Sequence, residues 1–307
     1  VHLTKALAAG AVPPSSFLRR HGDTMAAAAA RLLGVAGPRV TIDTACASGA
    51  HAVIEAYRAV ARGEVAAMVA GAGSGLVVPV TILAFARIGA LTTNADPARA
   101  SRPFDRLRDG FVLGEGAAAL VLEPLAAAQA RHAHVYAVIA GAATTVNAHS
   151  LTEPSPGGDT EAAAIRLAIA EARVAADAVD YVAAHGTSTP RNDLTETLAI
   201  KQALGARAYE IPVSSHKGQL GHTLPAAGAV NVVIAAMAIA TQRVPPTAHL
   251  DQPDPACDLD YVPHRGRPAA VRVAVANAFA FGGQNAVVVL RQADDVKERR
   301  AAGGAVA

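Results

Sequence analysis

One cysteine, two histidines and a lysine in this 307-residue chain lie at turns where side chains could act together. Cys46 stands in the turn Ala45-Cys46-Ala47-Ser48-Gly49, between an extended run at 39–44 and a helical run at 48–62 that stops at Gly63. A thiol there has its own amide and the first helical amides directed at it, and a helix N-terminus favours thiolate over thiol. That makes a nucleophile with no strong base beside it in sequence. Taken alone, a lone cysteine in an apolar segment reads first as a buried, inert side chain.

Two later segments supply partners of the right kind. His185 ends a short apolar strand and opens His185-Gly186-Thr187-Ser188-Thr189. Lys217 and His222 flank a glycine-containing turn, Lys217-Gly-Gln-Leu-Gly-His222, between a strand and a long apolar helix. Each polar group falls at the C-terminal end of a strand, where open α/β sheets place ligands. A third segment, Asn277 to Asn285, carries Phe281, Gly282 and Gly283 between two apolar strands. Its glycines allow backbone to approach a ligand closely. Singly, each histidine reads as a satisfied core residue; the pair, flanking glycines with Cys46 in the same chain, points to catalysis.

The elements that must position these residues alternate. After 39–44 and 48–62, strands are expected at 66–70 and 117–122. A second series follows: strand 135–142, helix 160–173, strand 181–184, helix 194–204, strand 211–214, helix 226–241, and paired strands at 271–278 and 286–291. A strand feeding a buried helix occurs twice, once at Cys46 and once at Lys217–His222. The fold class is α/β. The helix at 226–241 contains Asn231 and is expected to be a core helix, too short for a bilayer, which needs about 20 residues.

Bulk properties exclude other classes. Net charge is +2 and charged residues make up 17% of the chain, with no basic run, so a general nucleic-acid binder is not expected. No apolar segment with a cleavage site opens the chain. The two cysteines, Cys46 and Cys257, have neither CxxC spacing nor a metal-like set of histidines. A free catalytic thiol fits a reducing cytoplasm. Residues 292–307 are polar and then Ala/Gly-rich, and read as a disordered tail.

The chain resembles the decarboxylating ketosynthases of the thiolase superfamily, specifically the β-ketoacyl-acyl-carrier-protein synthase II type. The matching segments are Thr44-Ala-Cys46-Ala-Ser-Gly49, His185 to Thr189, Lys217 to His222, and Asn277 to Gly283. The stretch from Ser101-Arg-Pro-Phe-Asp105 through Arg108-Asp-Gly-Phe111 to Gly114-Glu-Gly116 matches too. The resemblance implies a five-layered αβαβα fold of two pseudo-repeats: 1–131, carrying the nucleophile, and 132–291, carrying the histidines, the lysine and the glycine-rich loop. Relatives carry roughly a hundred further residues before the position of Val1, so an N-terminally incomplete first repeat is expected.

By the same resemblance, Cys46 accepts an acyl chain, and its amide and that of Phe281 form an oxyanion hole. His185 and His222 stabilise the enolate left when malonyl thioester loses carbon dioxide, Lys217 supports them, and Phe281 gates the acyl pocket. Thr187 and Thr189 hold a phosphopantetheine arm, though strand-end threonines also cap local backbone. Gly282 and Gly283 line the substrate path, and Phe85 lines the acyl pocket or simply the core. His149 resembles a histidine standing behind the site. No cofactor is implied, because phosphopantetheine arrives on the acyl carrier protein. The carrier is acidic, so Arg19, Arg20 and Arg87 are docking candidates beside the plainer reading of solvated charge. A cytoplasmic homodimer paired through residues 39–44 is implied.

Two departures bear on this. The acid fourteen residues after Lys217 is Asn231, which removes the usual ion pair, and the glycine before Phe281 is Ala280. The leading function is elongation in fatty acid synthesis. A polyketide or specialised-lipid ketosynthase is the alternative, towards which Asp43 and Thr223 lean, whereas Ala47-Ser48-Gly49 leans to the fatty-acid type. A non-catalytic chain-length partner would lack the nucleophile that Cys46 supplies. A thiolase would want a second cysteine in the glycine-rich loop, and Cys257 is elsewhere.

Overall fold

The computed structural model describes residues 9–10 and 23–293. It divides into two compact units, 1–43 and 44–307. In the first, helix α1 (Thr24–Leu33) ends at Gly34, whose φ of +64° puts it in the left-handed region a helix terminus favours. Arg39 pairs with Asp23 at 3.1 Å. The strand expected at 39–44 does not form: these residues have no ladder partner among the described residues, and extended backbone becomes a strand only when a neighbour takes its hydrogen bonds.

In the second unit, a five-stranded mixed sheet runs in the order β3-β9-β8-β4-β5. Its strands are β3 (Val138–Val146), β4 (Tyr181–Ala183), β5 (Val213–Ser214), β8 (Val273–Phe279) and β9 (Gln284–Arg291). The short strands β4 and β5 run parallel to each other and β4 parallel to β8, while β9 is antiparallel to both its neighbours. β8 and β9 are apolar almost throughout and buried on both faces, as a central strand must be. A two-stranded ribbon pairs β1 (Met68–Ser74) with β2 (Gly116–Leu122), and a smaller one pairs β6 (Arg243–Val244) with β7 (Arg267–Pro268).

Two cores separate the layers. On one face of the large sheet, Ile165 and Ile169 of α4 (Asp159–Glu171) and Ala199 and Ile200 of α5 (Pro190–Leu204) pack on Val182, Val275 and Val287. On the other, Val53 and Ile54 of α2 (Ser48–Ala61) and Val232, Ala235 and Ile239 of α6 (Ala227–Thr241) pack on Ala274, Ala276 and Val288. Met68, Ala70, Leu120 and Leu122 of the β1–β2 ribbon join this second core. The order is therefore α, β, α, β; the fifth expected layer is not among the described residues of this unit.

α2 and α6 cross closely because glycine faces alanine in both directions. A Cβ on Gly49 would lie 2.6 Å from the Ala229 amide, and one on Gly228 2.6 Å from the Ala50 amide. This contact fixes the start of α2, and with it Cys46. The helical stretch Leu224–Thr241 is 18 residues long and apolar enough to cross a membrane, longer than expected because a 3-10 turn, Leu224–Ala226, precedes α6. It serves as the central core helix, enclosed by β8, β4 and α2. Residues 294–307, most of the expected tail, lie outside the described residues.

Candidate functional site

Cys46 occupies a 3-10 turn, Ala45–Ala47, leading into α2. Ala45 has φ +48°, the left-handed region that few alanines adopt. The Ser48 hydroxyl fastens the turn, accepting from the Thr44 amide at 2.9 Å and donating to the Ala45 carbonyl at 2.7 Å. The amides of Phe281 and of Cys46 itself are directed at the sulfur. The expectation of a stabilised thiolate is nevertheless overturned. Burial pushes the thiol up to about 11, and the charge of Lys217 and the two amides offset only part of this.

His185 ends β4, and the helix that follows holds it in place. Glu196, fully buried on α5, accepts the His185 and Gly186 amides, both at 2.7 Å, and the Asn277 side-chain amide at 3.0 Å. Burial raises the Glu196 carboxyl, and these hydrogen bonds and Lys217 pull it back. Lys217, also fully buried, donates through Nζ to the His185 carbonyl. Burial lowers its ammonium to about 8, against the opposing pull of Glu196, Cys46 and Asp193. With Asn231 in place of an acid, the carboxyl group that most raises Lys217 against burial is Glu196, from another helix. Asn231 instead donates to the Ala184 carbonyl at 3.0 Å and the Asn277 carbonyl at 2.7 Å, strapping the end of β4 to β8.

His222 closes the turn after Lys217. Its amide donates to Val112 at 2.7 Å, its carbonyl accepts from Gly114 at 3.0 Å, and the Leu224 amide donates to its Nδ1 at 3.3 Å. Accepting at Nδ1 places the ring proton on Nε2. The His185 and His222 rings stand 5.5 Å apart, edge to face. Burial first, then the nearby Lys217 charge, holds both imidazoles well below their usual range, so both are neutral.

An aromatic wall encloses the cysteine. Phe111 stands edge-on to His222 at 5.0 Å and to Phe85 at 5.6 Å, and Phe85 stacks on Phe281 at 6.2 Å. Cys46 shares one apolar cluster with all three phenylalanines. The fold brings Cys46, His185, Lys217, His222, Phe85 and Phe281 into one neighbourhood. The sequence reading missed Phe111 and Glu196 as members of the site, although Phe111 lay in a quoted motif and Glu196 seven residues beyond Thr189.

The remaining candidates divide. Thr187 and Thr189 bond each other through their hydroxyls at 2.8 Å, on the loop that begins with His185. Gly282 and Gly283 have φ of +77° and +75°; a Cβ on Gly283 would run into the Asn147 backbone, whereas Gly282 has open space. Ala280 is extended, φ −139°, a conformation that needs no glycine. His149 is exposed, its amide held by the Asn147 side chain at 2.6 Å, so it does not back the site: the loop around it turns outward. Arg87 ends the exposed helix α3 (Pro79–Arg87). Arg19 and Arg20 lie outside the described residues. Among the described residues, no cluster of histidine, cysteine and acidic side chains could hold a metal ion.

Residues 4–128 match the family model of the β-ketoacyl synthase N-terminal domain, and residues 136–251 that of its C-terminal domain. The chain is 46% identical over 261 residues to 3-oxoacyl-[acyl-carrier-protein] synthase 2 of Synechocystis sp., which covers 85% of this chain and 63% of that protein. It is 47% identical over 269 residues to a putative polyketide β-ketoacyl synthase 1 of Streptomyces cyaneus, covering 87% and 64%. The chain therefore spans somewhat under two thirds of the length of these curated relatives. Among solved structures, a β-ketoacyl synthase from Burkholderia phymatum superposes with a TM-score of 0.87 at 35% identity, over 94% of this chain and 71% of that one. A type II polyketide acyl-carrier protein in complex with its ketosynthase gives 0.89 at 35% identity, over 92% and 70%. The turn that carries Cys46, the two neutral histidines, the buried lysine and these matches agree: the chain belongs to the β-ketoacyl synthase family and has its thiolase-like fold.

Proposed function

We propose that this chain carries the active site of a decarboxylating Claisen condensation, which joins a Cys46-bound acyl chain to malonyl-acyl-carrier protein and yields β-ketoacyl-carrier protein in fatty acid elongation. One observation carries the reading: two backbone amides are directed at the Cys46 sulfur, and the apolar cluster around it reaches the pair of neutral imidazoles where Phe111 meets His222. Such amides suit the oxyanion of acyl transfer. Neutral imidazoles suit an enolate, to which they donate without carrying charge of their own.

In the first step the Cys46 sulfur attacks an acyl thioester. The carrier sulfur leaves and takes up the proton that Cys46 gives up. In the second, malonyl thioester loses carbon dioxide, and the electron pair of that C–C bond becomes an enolate on the thioester oxygen. His222, with its proton on Nε2, and His185 donate to that oxygen. The enolate carbon then attacks the acyl-Cys46 carbonyl, whose oxyanion the Cys46 and Phe281 amides hold. Collapse breaks the bond to sulfur, releases the product and leaves the Cys46 thiolate, which takes up one proton from solvent to restore the thiol. Lys217 fixes the His185 backbone and supplies positive potential. Phe85, Phe111 and Phe281 wall the acyl pocket, and Gly282 and Gly283 let the Phe281 loop take its shape.

Thr187 and Thr189 hold the phosphopantetheine arm, which the carrier protein brings, so no resident cofactor is needed. The similarity to a ketosynthase in complex with an acyl-carrier protein supports that partner; a cytoplasmic homodimer is part of the same proposal. Incubating the full-length protein with acyl- and malonyl-carrier protein should give β-ketoacyl-carrier protein and one carbon dioxide per turnover; no condensation product would refute the reading. The similarity to polyketide synthases favours, as a second reading, a growing polyketide as the acyl group. Acyl-chain profiling separates the two.

A further inference from the structure

Arg108 is buried, and its guanidinium is committed to the loop that carries Thr187 and Thr189. Nε donates to the Thr189 carbonyl at 3.2 Å and Nη2 to the Pro190 carbonyl at 2.9 Å. Nη1 donates to the Asp105 carbonyl at 2.9 Å and to the Asp254 carboxylate at 2.6 Å. Nε also lies 3.5 Å from Asp193, whose side chain is wholly buried. Asp193 in turn accepts the Thr187 and Phe104 amides.

One ion pair therefore grips the loop from both sides, Asp193 through the amide of Thr187 and Arg108 through the carbonyl of Thr189. Around it, Gly110 donates to the Ser188 carbonyl at 3.0 Å, the Arg102 amide to the Ser188 hydroxyl at 2.9 Å, and the Ser215 hydroxyl to the Gly186 carbonyl at 2.6 Å. Beyond its carboxylate partners Asp254 and Asp193, Arg108 spends two donors on consecutive carbonyls at the start of α5, next to the two threonine hydroxyls. The planar fork makes those contacts at fixed angles, which a lysine cannot reproduce.

We propose that Arg108 is a positioning residue for the thioester arm of the carrier protein, acting through the Thr189 and Pro190 carbonyls to set where the Thr187 and Thr189 hydroxyls stand. The proposal rests on the reading that these threonines hold the arm. Arg108 touches neither substrate nor the reacting atoms, so its loss weakens binding of a substrate that uses the arm and spares chemistry that does not.

The test uses the full-length protein. R108K should raise KM for malonyl-carrier protein about ten-fold or more with kcat within about two-fold, while acylation of Cys46 by an S-phenyl thioester, which has no arm, keeps its wild-type rate. In a T187V/T189V background, itself raised in KM, R108K should add little further, because both changes remove the same interaction. An unchanged KM in R108K, or equal losses with both thioesters, overturns the proposal. Should R108K fail to fold, R108Q, which loses the fork that spans the Thr189 and Pro190 carbonyls, should raise the same KM and spare acylation by the S-phenyl thioester; an unchanged KM there overturns it equally. If T187V/T189V alone leaves KM unchanged, the reading of the threonines fails and the role of Arg108 with it. If T187V/T189V raises KM and R108K does not, only the role of Arg108 fails.

Discussion

The ammonium of Lys217 donates to the main-chain carbonyl of His185, so the site's one buried lysine holds the backbone of a residue whose ring faces His222. The two groups titrate in opposite senses relative to neutral pH. His185 and His222 lie well below 6.5 and stay neutral through the physiological range, whereas Lys217, lowered to about 8, loses its charge as pH rises past that value. Malonyl decarboxylation should therefore be level between about pH 6.5 and 7.5 and fall above about 8 with the loss of one proton. K217M should be slow and lack the alkaline limb. A limb near 6.5 that H185A or H222A abolishes would show that a charged imidazole takes part, contrary to the mechanism.

Cys46 should alkylate slowly at neutral pH. With the thiol pushed up to about 11, its rate with iodoacetamide should climb nearly ten-fold per pH unit up to about 10. The readout is mass spectrometry of the modified peptide. Rapid modification that is flat from pH 7 to 9 would mean that Lys217 and the two amides outweigh burial.

The glycine-rich loop offers a stability contrast. Gly282 and Gly283 both occupy the left-handed region, but only Gly283 abuts the Asn147 backbone. G282A should cost about 1–2 kcal/mol, the penalty for a side chain in that conformation. G283A adds an overpacking penalty of about 1–3 kcal/mol, for a total of about 2–5 kcal/mol. Denaturant melts of the two variants check this; equal losses would contradict the packing at Asn147.

The sequence made the nucleophile, the histidines and the lysine legible because each stands beside a glycine or small residue at the end of an element. The strands β8 and β9 and helices α2, α4 and α6 were legible to within a few residues, because apolar runs between breakers fix them locally. Glu196, Asp193 and Arg108 were not. Their roles depend on partners from distant segments, such as Arg108 with Thr189 and Glu196 with Asn277, and nothing local marks a helix carboxylate as buried. The state of Cys46 was misread for a related reason. The helix start is visible in sequence, but the apolar cluster of Phe85, Phe111 and Phe281 that desolvates the thiol is assembled only by the fold. Residues 39–44 have strand composition yet need a neighbour to become a strand.

The division of labour between Cys46 and the histidine pair is tested most directly by carbon dioxide release from malonyl-carrier protein in the full-length C46Q variant. The amide has the shape of an acyl thioester and leaves His185 and His222 in place, so C46Q should lose condensation and keep decarboxylation. Adding H185A or H222A to it should cut that release about 10²–10³-fold each, the usual loss when one donor to a developing oxyanion is removed. Undiminished decarboxylation with both histidines replaced would contradict the mechanism at its centre.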